Sequence, residues 1–160
     1  MSRSAIRARA TFPSLFKGVH MSAIHDKLET NKAVVMAFYD GGVRGDISGF
    51  GAKLYDDFVC SAPVYLPWGG DTRSAAGYLN DVLPQVAKVL DFSRFSYDSI
   101  TAEGDHVVAL INVGVTGTQD MIKISEHWRL DKGKARSIWV AYYEPSALMT
   151  VLERNKKAAA

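Results

Sequence analysis

From Ile24 the apolar positions recur at helical spacing. Ile24, Leu28, Val34, Val35, Phe38 and Tyr39 fall on one stripe, which predicts an amphipathic helix. Gly41 and Gly42 are expected to stop it. Asp46 then reads as the cap of a second helix carrying Ile47, Phe50, Leu54 and Tyr55. Phe58–Leu66 reads as a strand that holds Pro63, so it belongs at an edge or a bulge, and Pro67–Asp71 reads as a turn. Ser74 is placed to cap a third helix with Tyr78, Leu79, Val82, Leu83, Val86 and Leu90 as its apolar set, kinked or broken at Pro84. The second half changes period. Phe92–Thr101, His106–Thr118, Gln119–Leu130 and Ala135–Glu144 are rich in β-branched and aromatic residues. Glu103-Gly104-Asp105 and Asp131-Lys132-Gly133-Lys134 separate them as turns, with a further turn at Gly117–Asp120. A last short helix is expected from Ser146 to about Arg154, followed by a frayed end at 156–160.

Helices followed by a meander of strands give an α+β class rather than an alternating βαβ one. An antiparallel sheet can lay one face on those helices and leave the other open. Trp128, Trp139, Tyr142 and Tyr143 place aromatics on both parities of the last strands. One face is therefore expected to line a core or cavity, and the other to pack on a second copy as a homodimer through the outer sheet face.

The chain has 160 residues, 48% hydrophobic and 22% charged, which suits one globular domain. Its net charge of +2 is unevenly spread. Residues 1–20 carry Arg3, Arg7, Arg9 and Lys17 without an acid, so the remainder is net acidic. That segment has two readings: an organellar transit peptide, or an over-called start ahead of Met21. On either reading the expected organisation is 1–20 outside the fold, 21–155 as the domain and 156–160 as a tail. No apolar run approaches the roughly 20 residues that span a bilayer. With dispersed basic residues, nucleic-acid and membrane partners are not expected. One cysteine, Cys60, excludes an internal disulfide and a cysteine metal cage. A cytoplasmic location fits, with organellar import as the alternative if 1–20 is a transit peptide. The histidines His20, His25, His106 and His127 show no HxH or HExxH spacing, so no metal site is expected. No glycine-rich phosphate loop is present, since Gly41-Gly42 and Gly69-Gly70 lack the spacing and the following Lys-Ser/Thr. No cofactor is expected.

Several local signatures, taken in order, resemble the SnoaL-like (polyketide cyclase-like) branch of the nuclear transport factor 2-like (NTF2-like) superfamily. They are Phe38-Tyr39 through Gly45-Asp46, Tyr55-Asp56-Asp57-Phe58-Val59, Leu66-Pro67-Trp68-Gly69-Gly70, Arg73-Ser74, Glu103-Gly104-Asp105, and Asp131–Lys134 before Tyr142-Tyr143-Glu144. The resemblance covers about Lys27–Leu148. It implies a cone-shaped, curved, mostly antiparallel sheet wrapped around three N-terminal helices, a cystatin-like α+β barrel enclosing an apolar pocket. That superfamily contains cyclases, steroid isomerases, epoxide hydrolases and dehydratases, and also binding modules, so the site has to decide function.

By the same resemblance, steroid isomerases place their proton-moving aspartate before a proline on the first strand, where this chain has Ala62 before Pro63. Their helical tyrosine corresponds here to Phe38. Neither Ala nor Phe can move a proton, which argues against steroid isomerisation. Epoxide hydrolases need an acid two residues before the paired aromatics, where this chain has Val140 and Ala141. Glu126 matches the inward acid of the isomerases, and it shares strand parity with Ile124 and Trp128. Enclosed by apolar side chains, it would hold a raised pKa and could donate or accept a proton near neutrality. The plainer reading places it on the solvent face or in an ion pair with Arg129 or Arg136. His127 has the opposite parity, so only one of the two can face a pocket unless a bulge intervenes.

The substrate-binding candidates are Tyr55, Tyr65 and Asn112 as orienting donors, and Trp68, Trp128, Trp139 and Tyr143 as apolar walls. The resemblance implies that the face shared by Trp139 and Tyr143 lines the pocket. Glu144 reads as a cap for the last helix. Two functions follow. One is a cofactor-independent acid–base enzyme of cyclase, isomerase or dehydratase type, with Glu126 acting on a small hydrophobic carbonyl or aromatic compound. The other is a non-catalytic ligand-binding or dimerisation module of the same fold.

Overall fold

The computed structural model describes residues 16–159, with side chains from Met21 onward. Of the segment set aside above, 1–15 lie outside the described residues and 16–20 begin a helix. This helix, α1 (Phe16–Arg44), is longer than the periodicity foretold. Its early apolar residues Met21 and Ile24 are exposed, whereas Val34, Val35, Phe38 and Tyr39 are buried. Gly41 and Gly42 do not stop it. Their absence of a side chain serves packing instead: the Asp46 amide donates to the Gly41 carbonyl at 2.8 Å, and a Cβ on Gly41 would lie 2.5 Å from the Asp46 carbonyl oxygen. The stop is Gly45, in the left-handed region at φ +70°, with its amide bonded to Gly42.

Asp46 caps no second helix. Its carboxylate accepts from the Ser48 amide at 3.0 Å and the Ser48 hydroxyl at 2.7 Å, which closes a local turn. Only a single 3₁₀ turn, Gly51–Lys53, follows. Leu54 and Tyr55 already belong to strand β1 (Leu54–Ala62), which ends before Pro63 because proline lacks the N–H a ladder needs. The expected turn at 67–71 contains the start of a three-residue strand, β2 (Gly70–Thr72), which pairs antiparallel with β1. Ser74 caps as predicted, its hydroxyl accepting from the Gly77 amide at 3.0 Å. The helical segment it opens is broken rather than continuous: α2 (Ala75–Gly77), a π-helical turn (Tyr78–Val82), then α3 (Leu83–Ala87). Pro84 stands just after the π turn, where its missing N–H and ring bulk disfavour regular α-helix.

The meander is β3 (Leu90–Glu103), β4 (His106–Val115), β5 (Met121–Asp131) and β6 (Lys134–Tyr143), followed by α4 (Ser146–Ala158). The expected frayed end at 156–158 is therefore helical. Glu144 makes no cap bond to α4; it turns the chain at φ +50°. The six strands form one sheet in the order β2-β1-β6-β5-β4-β3. Every pairing is antiparallel except β1 with β6. Bulges in β1–β6, β3–β4 and β5–β6 curve it. The fold is α+β as expected, but the concave face is covered by one long helix and a broken short one, not by three regular helices.

That concave face carries the alternate residues Val107, Ala109, Ile111 and Val113 of β4 and Ile122, Ile124 and Trp128 of β5, with Phe58 and Cys60 of β1 and Ile138 of β6. Helix α1 packs across β3 and β4. Trp128 is fully buried among Phe38, Phe50 and Phe58, with ring centroids between 5.2 and 6.3 Å. No described helix is long and apolar enough to cross a membrane.

Candidate functional site

Strand alternation turns Glu126 to the concave side between Ile124 and Trp128, opposite Ala109 on β4 and Val140 on β6. There it borders a small enclosed chamber, together with Tyr39, Cys60, Ala62, Trp68, Tyr78 and Tyr142 and a surround of aliphatic side chains. The chamber volume is about 40 Å³. The Tyr39 hydroxyl donates to a Glu126 carboxylate oxygen, and the Trp128 indole N–H donates in turn to the Tyr39 oxygen at 3.1 Å. No ion pair engages Glu126 among the described residues. Arg136 instead holds Asp131 at 3.1 Å and lies 3.7 Å from Asp57.

Burial without a cation raises the Glu126 pKa from 4.5 to about 7, against the lowering effect of the Tyr39 hydrogen bond and of the Trp128 N–H behind it. Desolvation dominates because one direct neutral donor replaces only part of the water a carboxylate would hold. The same carboxyl acts on its neighbours. Desolvation first and the Glu126 charge second hold the Tyr39, Tyr78 and Tyr142 phenols above their usual range. The Cys60 thiol is pushed up to about 12 for the same two reasons. Near neutral pH the chamber therefore offers one carboxyl that exchanges its proton, ringed by groups that keep theirs.

Of the sequence candidates, Glu126 and Trp68 line the chamber. Trp128 lies behind it, in the core, holding Tyr39. The rest are elsewhere. Tyr55 bonds Asp131 at 3.0 Å under the Arg136 guanidinium, at the far end of β1. Tyr65 is exposed and borders a separate open groove with Met149 and Leu152. Asn112 alternates with the buried Ile111 and Val113, so it falls on the outer face, paired with Ser96 and Lys123. Trp139 and Tyr143 are 54% and 66% exposed on that same convex side. The inward residues of β6 are Ile138, Val140 and Tyr142, the reverse of what the resemblance implied for this strand. His127 also faces outward, bonded to Ser125 at 3.0 Å, stacked on His106 and edge-to-face with Trp139.

The residue that sequence reasoning missed is Tyr39. It, not Phe38, brings a hydroxyl from α1 to the carboxyl, while Phe38 packs on Phe50 and Trp128. Tyr142 and Tyr78 were missed as chamber walls. The Phe38-Tyr39 dipeptide was visible, but a helical stripe does not decide which of two adjacent rings reaches an oxygen. No cluster of three or more metal-ligating side chains occurs among the described residues. Ala62 and Val140 border the chamber as apolar walls.

No family model matches the sequence, and no curated protein matches it either. Solved structures do match its shape. TerC, co-crystallised with polyporic acid, aligns at 24% identity over 73% of this chain and 94% of its own, with a TM-score of 0.64. A steroid delta-isomerase from Pseudomonas aeruginosa aligns at 22% identity over 81% and 92%, with a TM-score of 0.63. An NTF2-like protein from Burkholderia thailandensis aligns at 20% identity over 76% and 95%, also at 0.63. The long helix laid across a curved, mostly antiparallel six-stranded sheet is the NTF2-like fold.

Proposed function

We propose that this chain is a SnoaL-like small-molecule protein, acting without a cofactor as an acid–base catalyst on a small hydrophobic carbonyl or aromatic compound. The observation that carries this is the Glu126 carboxyl, unpaired by any described cation, held by Tyr39 and titrating at about 7 within an apolar chamber. Protonated, it donates to a carbonyl oxygen and stabilises the charge that develops there; ionised, it accepts a proton. Tyr39 orients it and stays protonated. Fold-level likeness to a steroid delta-isomerase and to TerC, co-crystallised with polyporic acid, supports a small organic ligand.

The test is exchange of the α-protons of a panel of small aromatic ketones in D2O, followed by NMR. Wild type is expected to accelerate exchange of at least one ketone, and Glu126→Gln to abolish that acceleration. A second reading, a non-catalytic ligand-binding module, is favoured by Ala62 and Val140, which leave the chamber with one carboxyl and no second base. It prevails if ketones bind wild type without exchange. A free, buried Cys60 suits a reducing compartment such as the cytoplasm.

A further inference from the structure

Trp128 is fully buried and wedged among Phe38, Phe50 and Phe58, so its indole N–H keeps one direction. That N–H is a donor only, and it meets the Tyr39 oxygen at 3.1 Å. The Tyr39 ring is fixed as well, stacked on Phe95 at 5.4 Å and edge-on to Tyr97 at 5.7 Å. What Tyr39 keeps free is the rotation of its hydroxyl. An O–H turned toward Trp128 would set two hydrogens against each other, so the proton turns to Glu126. The donor that holds the carboxyl is thus aimed by a residue that gives the carboxyl no hydrogen bond of its own.

The two carboxyl oxygens are thereby made unlike. Oε2 accepts from Tyr39, while Oε1 has no hydrogen-bond partner among the described residues. Among those residues the Tyr97 hydroxyl is the one side-chain polar atom that is both sealed and unpartnered. Oε1 therefore touches open space, and the space that Glu126 borders is the chamber. Tyr78, Tyr142 and Cys60 border it too, and all three keep their protons near neutrality. We propose that Trp128 is a positioning residue for Glu126: through the Tyr39 hydroxyl it pins Oε2 as the held oxygen and leaves Oε1 to carry and exchange the proton. The inference rests on the reading of Glu126 above and names the atom that reacts. In the protonated acid the proton sits on Oε1, because a proton on Oε2 would point at that of Tyr39. In the ionised form Tyr39 holds the charge at Oε2, and Oε1 accepts.

The test follows the Glu126 Cδ by ¹³C NMR through a pH titration of the full chain, with Glu126→Gln identifying the signal. Tyr39→Phe removes the direct donor to the carboxylate and is expected to raise the Glu126 pKa by about 1. Trp128→3-benzothienylalanine keeps the ring outline and puts sulfur in place of the N–H. It is expected to raise the pKa about half as much, and to add nothing when combined with Tyr39→Phe, because the indole acts only through that hydroxyl. Two results overturn the proposal. Additive rises would mean that the N–H acts on the carboxyl directly, and an unchanged pKa in the benzothienyl variant would mean that Trp128 is core and nothing more. Neutron diffraction of the wild type, at a pH below the Glu126 value, needs no variant. Deuterium is expected on Oε1, with the Tyr39 O–D aimed at Oε2; deuterium on Oε2 refutes the assignment. None of these readouts needs a substrate. If they hold while wild type exchanges no ketone, the arrangement stands and the catalytic reading falls. If ketones exchange while the rises add, the catalytic reading stands and the positioning role falls.

Discussion

Glu126 draws its chemistry from its position rather than from its type. A glutamate on the convex face of β5 would be an ordinary acid; turned inward, it loses water and gains only neutral donors. This has a consequence for stability that needs no substrate. The folded carboxyl keeps its proton up to about pH 7, while the unfolded chain releases it near 4.5. Between those values the native state binds more protons, so stability falls as pH rises. At about 1.4 kcal/mol for each tenfold change in acidity, the loss from below pH 4.5 to above 7 is about 3 kcal/mol. Urea unfolding of wild type at pH 5 and pH 8 should show most of this loss, and Glu126→Gln should remove its share of the difference. A variant whose pH dependence matches the wild type would mean that the carboxyl is well hydrated in the folded protein.

The elements show where local signals end and packing begins. Glycines at 41 and 42 look like a stop, and in isolation they weaken a helix. The helix passes through them because Asp46 folds back onto Gly41 so closely that no side chain fits. The two positions should answer oppositely to the same substitution. Gly41→Ala drives a Cβ into a backbone carbonyl at 2.5 Å and should destabilise by about 1–3 kcal/mol. Gly42→Ala meets only the Phe92 ring at 3.6 Å and should stabilise by up to about 1 kcal/mol through helix propensity. Thermal melts of the pair decide it; equal effects would contradict the close approach. Ser74, by contrast, was legible because a cap is a bond between residues three apart.

At the scale of the molecule, the convex face is unusual for a surface. It carries Trp139 and Tyr143 beside His127 and His106, with Trp139 edge-on to the His127 ring at 5.1 Å. We propose that a second copy covers this face, as large exposed aromatics on one sheet surface favour association. Light scattering at micromolar concentration is expected to give a dimer, and Trp139→Glu to shift it toward monomer by placing a charge in the contact. A monomeric wild type would refute the dimer without touching the argument for the chamber.

The four-stranded meander and the cap at Ser74 were readable along the chain, and so was the set of residues that shares a face with Glu126, because each depends on residues within a few positions of one another; whether that face turns inward was left open. The alternation Ile124-Glu126-Trp128 is the clearest case, since strand parity alone ties the acid to its apolar neighbours. Contacts between distant segments were not readable. Parity separates Trp139 and Tyr143 from Val140 and Tyr142, but it cannot say which set a helix will cover, and both sets are aromatic or apolar. Asn112 went to the outer face for the same reason. The 87-residue separation between Tyr39 and Glu126 leaves no local trace, so the pairing that defines the site exists only once α1 lies across the sheet.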